Sequence, residues 1–247
     1  MFYPLGLVQR RELEYASRKL TSIEVNGTYY GAQKPATYAK WRDETPDGFV
    51  FSAKAPKRIM ESKALEKTGH QVEDFVYGIV ELGEKLGPLV WQFDKGPRID
   101  PVKFGTFIEL LPKTLAGRSL RHVLDVRDPA FVDAGYLALA RQHGMATVFT
   151  DSDEHPSFAD LTADFVYARL MRSRAAIESG YSDDELASWS MRVNQWASGG
   201  DPADLPHLDT HPAAVQPRDV FLYFISAAKE RNPRAAMALL QRLGAVR

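Results

Sequence analysis

Seven short runs in this chain are apolar on both alternating faces, and the stretches between them carry apolar residues at helical spacing. The runs are SIEVN at 22–26, FVFSAK at 49–54, PLVWQF at 88–93, RHVLDVR at 121–127, MATVFTD at 145–151, DFVYARL at 164–170 and RDVFLYFI at 218–225. A strand apolar on both faces must be covered on both, and crossovers through helices make such strands parallel. Repeated this often, the pattern predicts an α/β fold and favours a TIM-like (β/α) barrel over an open doubly wound sheet. No G-x-G-x-x-G follows the first strand and no Walker loop occurs anywhere in the sequence, so nucleotide-binding open sheets lose their fingerprint.

Helices are expected at 10–20, between Pro35 and Pro46, at 72–86 with Gly87 and Pro88 closing it, and from Pro101 to Leu111. Further helices are expected from Phe131 to His143 ending at Gly144, from Ser182 to Trp196, and from Pro233 to Leu243. Ser182 and Glu185 have the S-x-x-E form of a capping box. Trp189 and Trp196, seven residues apart on one helix, are expected in the core. Residues 198–217 hold four prolines and no periodicity, which predicts a surface excursion within a single domain spanning 1–247.

With 31 basic against 32 acidic residues there is no global field to draw in nucleic acid or an anionic membrane. Tyr38 and Trp41 beside Lys40 and Arg42 read as packing on a short helix rather than as a base-stacking platform. The expected partner is a small molecule, and no oligomeric state follows from the sequence. The absence of cysteine excludes disulfides, thiolate metal sites and a cysteine nucleophile. No apolar run approaches the roughly 20 residues of a membrane span, and the first residues lack the pattern of a signal peptide, so the expected compartment is the cytoplasm.

In a barrel of this kind ligands meet the C-terminal ends of the strands. Those ends carry Glu24 and Asn26, Lys54, Gln92, Asp125 and Arg127, Asp151, and Arg169. Parity puts many of them on one face: Ser22 with Glu24 and Asn26, Val50 with Ser52 and Lys54, Val123 with Asp125 and Arg127, Phe165 with Tyr167 and Arg169. Six strands therefore deliver polar groups to one rim. Two arrangements fit: a closed ion network in which Glu24, Asp125 and Asp151 pair with Lys54, Arg127 and Arg169, or a ligand site. A phosphate or carboxylate would use Arg127 and Arg169 as forks and Lys54 as a point charge, with Lys57, Arg58 and Lys63 just downstream. A polyhydroxylated ligand would use Glu24, Asn26, Gln92 and Asp125. Glu24 and Asp125 are the candidate acid/base pair, and a glycosidase-like pairing of Glu24 with Asp125 or Asp151 depends on their separation. None of the six histidines (70, 122, 143, 155, 207 and 211) ends a strand, so a metal site would have to be built from Glu24, Asp125 and Asp151 alone; no metal and no cofactor is assigned.

The segments FYPLGLVQRRELEYAS, SIEVNGTYYG, GFVFSAKAPKRI, LGPLVWQF, HVLDVRDPAF, TADFVYARL, SGYSDDELASWSMRVNQWASGG and DVFLYF, in this order and over nearly the whole chain, resemble the YecE-like family, domain of unknown function 72. The resemblance implies a (β/α)8 barrel and assigns no activity. In the family a strand of the form G-T-S-G-W precedes the FYP segment, so the resemblance implies that the first strand is missing here, through a downstream start or in a seven-stranded variant. In the second case the strands at 22–26 and 219–225 either meet or leave an open seam. The chain also departs from the family at polar positions: Met171 where relatives tend to carry histidine, Ile59, Met60 and Glu61 where they read I-T-H, and Ser226 and Ala227 in place of an asparagine-rich turn. Two functions stay open: an enzyme, present or former, acting on a small anionic or polyhydroxylated metabolite at the mouth, and a noncatalytic ligand- or partner-binding barrel that has lost catalytic groups.

Overall fold

The computed structural model of the chain describes residues 2–96, 100–209 and 213–245. Its main sheet has seven strands, all parallel and in chain order: β1 (Ser22–Val25), β2 (Val50–Lys54), β3 (Leu86–Phe93), β4 (His122–Val126), β5 (Ala146–Asp151), β6 (Phe165–Leu170) and β7 (Asp219–Phe224). Around it lie α1 (Glu12–Ser17), α2 (Pro35–Glu44), α3 (Gly69–Ile79), α4 (Pro101–Glu109), α5 (Ala134–His143), α6 (Asp183–Ala197) and α7 (Asn232–Arg242). Short helical turns at Gly27–Tyr30 and Lys57–Met60 follow β1 and β2.

The sheet curls into a nearly closed barrel. In a flat sheet β2 and β6, four neighbours apart, would lie about 19 Å from each other. Instead the Tyr167 hydroxyl on β6 is 2.8 Å from Ser52 Oγ on β2 and donates to Glu24 on β1 at 2.5 Å. Parity sorts the core accordingly. Val90, Val123, Val148, Phe165 and Tyr167 fill the barrel, while the alternate residues Trp91, Phe93, Leu124 and Val126 pack outward on the helices. Each such large buried side chain contributes about 2 kcal/mol. Trp189 and Trp196 lie against Phe149 beneath α6, and Tyr38 and Trp41 pack against each other beside Phe51.

β1 and β7 are the two ends of the ladder, not hydrogen-bonded strand neighbours. The seam between them is crossed by one hydroxyl pair, Ser22 Oγ and Tyr223 OH at 2.7 Å. Outside it runs an apolar groove of about 210 Å³, whose lining includes Leu20, Val50, Val220, Leu222, Leu240 and Leu243.

The local signals give the helix ends. Ser182 and Glu185 form the capping box of α6, Asp100 and Asp133 cap α4 and α5, and Gly144 ends α5 at φ 64°. Gly87 and Pro88 do not close a helix, as their sequence suggests; they lie inside β3. A Cβ on Gly87 would sit 2.4 Å from Val50 Cγ1, and the β2–β3 register shifts between Phe51 and Ala53, so the close approach and the irregular pairing accommodate glycine and proline in a strand. A hairpin of Thr114–Leu115 with Arg118–Ser119, turning through Ala116 and Gly117 at positive φ, has no counterpart in the sequence reading. The described part of the 198–217 segment is irregular but anchored: the Asp160 carboxylate accepts from Leu208 N at 2.8 Å and Asp209 N at 2.9 Å. Residues 210–212 of that segment, with His211, lie outside the described residues.

Candidate functional site

The C-terminal mouth is organised by Arg169, whose side chain is 1% exposed. From β6 its Nε donates to Glu24 Oε2 on β1 at 2.9 Å and its Nη1 donates to Asp125 Oδ2 on β4. One guanidinium thus joins three strands, with each acid reached because it follows an inward residue, Ser22 or Val123, by two positions. Burial would weaken the Arg169 charge and would push Asp125 up, but the two groups face each other. Glu24 and Asp125 raise Arg169 above its ordinary value, and Arg169 with Arg127 brings Asp125 below the usual carboxylate range.

Arg127, just past the end of β4, lies 3.4 Å from Asp125 through Nη2 and donates to Gln92 Oε1 at 3.1 Å. Gln92 in turn donates to Asp94 Oδ1 at 2.6 Å, and Asp94 accepts the hydroxyl of Tyr29. Arg127 Nη1 is 3.7 Å from Asp94, while its Nε is buried without a hydrogen-bond partner. Lys54 differs from both arginines. Its Nζ lies over the Tyr29 ring, 4.1 Å from the centroid, and no hydrogen bond or carboxylate within 4.0 Å holds it among the described residues. Burial, then the positive charge of Arg169, lowers its pKa to about 8, against the opposing pull of Glu24.

The structure therefore departs from the closed ion network. Glu24 and Asp125 both serve Arg169, and Lys54 receives neither. Asp151 is not in the cluster: β5 turns Val148 inward, so Asp151 shares the outward parity of Phe149 and meets Arg172 Nε at 2.7 Å. Asn26 is exposed, sits at the start of the helical turn after β1 and makes no capping hydrogen bond. The glycosidase-like and carboxylate-only metal arrangements both lose their geometry. A guanidinium stands between Glu24 and Asp125, and among the described residues no group of three His, Asp or Glu is placed to hold a metal ion.

Three groups at the mouth were not singled out from the strand ends. Asp94 continues the inward parity of Val90 and Gln92, a legible signal. Tyr29, on the turn after β1, reaches the mouth through a bend that the sequence does not specify. His155, half-buried in the loop after β5, feels the charges of Arg127, Asp125 and Arg169; burial first, then Arg127, lowers its pKa. A histidine thus comes near the cluster from a loop, although none ends a strand.

Beside this cluster a cleft of about 460 Å³ opens between the segments that follow β2 and β3. Tyr29, Gln92 and Asp94 form its wall on the barrel side, and Lys57, Lys63, Lys95 and Lys103 lie on the others. Its volume is in the range of sites for small molecules. Lys54, Arg127, Arg169, Glu24 and Asp125 do not line the cleft; they are joined to it through Tyr29, Gln92 and Asp94, and among these five the cations outnumber the carboxylates, with the half-exposed Asp94 at the edge.

Comparison with known proteins adds a family. The family model described as protein of unknown function DUF72 matches residues 1–247. UPF0759 protein YecE of Escherichia coli K12 is 30% identical over 125 residues, which is 50% of this chain and 44% of that protein. The matched stretch is thus under half the length of the curated relative. The crystal structure of a DUF72 family protein from Thermotoga maritima superposes with a TM-score of 0.72 at 19% identity, covering 98% of this chain and 92% of that one. A DUF72 family protein from Enterococcus faecalis gives 0.70 at 16% identity, covering 95% and 94%. At these identities the likeness is one of fold.

Proposed function

Starting from the fact that the chain belongs to the DUF72 family, whose name carries no activity, we propose that it binds and transforms a small anionic or polyhydroxylated metabolite at the C-terminal mouth of its barrel. The observation that supports this is the unequal pairing of the mouth: Arg169 consumes both buried carboxylates, leaving Lys54 without an acid and Arg127 with divided partners, beside an open cleft. Burying a cation without a counter-ion is costly unless a ligand supplies one. Arg127 offers a planar fork to a phosphate or carboxylate, Lys54 a point charge. Gln92, Asp94 and Tyr29 offer the hydrogen bonds that hydroxyl groups need. Asp125, held ionised, is the candidate base; Glu24, beneath Arg169, fixes the guanidinium.

A thermal-shift screen against sugar phosphates, organic acids and free sugars tests this, with Arg127→Ala beside the wild type. A ligand at 100 times its Kd should add about 2.7 kcal/mol, or roughly 5 to 10 °C. One responsive class whose shift is lost in a folded Arg127→Ala supports the reading; no shift in any class removes it. The second reading, a noncatalytic binding barrel, is favoured by one feature, that both candidate carboxylates are already bound to Arg169. An Asp125→Asn variant that keeps binding but loses turnover decides for the enzyme.

A further inference from the structure

We propose that Lys54 condenses with the carbonyl group of its ligand, so that the substrate class of the mouth is an aldehyde or ketone bearing a carboxylate or phosphate. This rests on the mouth being the ligand site and adds a covalent step. The geometry that supports it is the isolation of the amine. Lys54 ends β2 on the inward parity of Ser52, is 8% exposed, and has a ring rather than an acid as its neighbour. A buried lysine used only for structure is held by carboxylates or carbonyl oxygens. Here the two nearest buried carboxylates are turned to Arg169, and no hydrogen bond ties up the amine.

Burial and the neighbouring arginines also keep part of the amine neutral near neutral pH, as a nucleophilic lysine requires. The neutral nitrogen attacks the carbonyl carbon, forming a C–N bond while the carbonyl electron pair moves to oxygen. That oxygen then leaves as water with the two protons from the amine, giving C=N; one amine and one carbonyl become one imine and one water, with nothing oxidised or reduced. Taking up one proton from solvent, the imine becomes a cation over the face of Tyr29, where the ammonium lay before it, and the anionic substituent of the substrate faces Arg127.

The test uses the full chain with glyoxylate or glycolaldehyde phosphate as probes, trapping with cyanoborohydride and peptide mass mapping. The expected result is that Lys54 carries about tenfold more label than the exposed Lys63 or Lys95. Lys54→Arg, which keeps the charge, should lose that site, and Arg127→Ala should lower its labelling by a similar factor. Label spread over the exposed lysines with Lys54 unmodified overturns the proposal. If Lys54 stays unlabelled while an anion still raises the melting temperature in an Arg127-dependent way, the condensation fails and the binding site stands. If neither occurs, both fall.

Discussion

The C-terminal mouth and the seam of the barrel are built from opposite chemistry. At the mouth Arg169 reaches from β6 to Glu24 on β1 and Asp125 on β4, so buried charge ties distant strands together. Along the seam β1 and β7 share one hydroxyl pair, Ser22 with Tyr223, above a groove of leucine and valine. The two are connected because β1 belongs to both. Its end is held across the barrel by Arg169 and Tyr167, which places much of the closure in the mouth and little in the seam itself.

That contrast can be broken most severely at Arg169. Arg169→Met leaves Glu24 and Asp125 buried without their cation and should cost about 3–5 kcal/mol in urea unfolding, with amide protection in β1 lost before that in β4. Stability equal to wild type would mean that the guanidinium is no strut. At the seam, Leu239→Ala removes a buried side chain from α7 beside the groove and should cost about 2–3 kcal/mol, without changing the response to anions.

Lys54→Met separates binding charge from structural charge. The folded chain lowers Lys54 to about 8 from 10.5, so unfolding takes up a proton between those values. The wild type therefore gains stability as pH rises through that window, and the penalty for the buried cation is fully present below it. The variant should be more stable by about 1 kcal/mol at pH 7, a gain that fades as the pH approaches 10; a loss at pH 7 would show the ammonium to be well compensated. Tyr223→Phe should have the smallest effect, about 0.5–1 kcal/mol, because Ser22 is only half-buried and water can replace the lost partner. A larger loss would give the seam hydroxyls more of the closure than the mouth network allows them.

Strand parity made much of the mouth legible in the sequence. Glu24, Lys54, Asp125 and Arg169 each follow an inward residue by two positions, and the barrel brings them together for that reason. Asp151 does end β5, but the inward residues of that strand are Val148 and Thr150, so the same rule turns Asp151 away from the mouth. Pairing was less legible than position. Three acids facing three bases suggested mutual neutralisation, but a fork with several donors takes two carboxylates at once, and a point charge on a neighbouring strand is left over. Tyr29 and His155 arrive on turns and loops, whose paths depend on packing rather than on any local period. Gly87 and Pro88 misled for a related reason, since only the neighbouring strand shows why a strand should contain them.

The direct measurement is the titration of Lys54 itself, followed by NMR of ¹³C-methylated lysines with Lys54→Arg for assignment. The account predicts a midpoint near 8 for Lys54, apart from lysines near their ordinary value, and an upward move when inorganic phosphate is added, because a bound anion supplies the missing counter-charge. A midpoint near 10.5 that phosphate does not move would contradict it: the mouth would then hold no uncompensated cation and no reason to bind an anion.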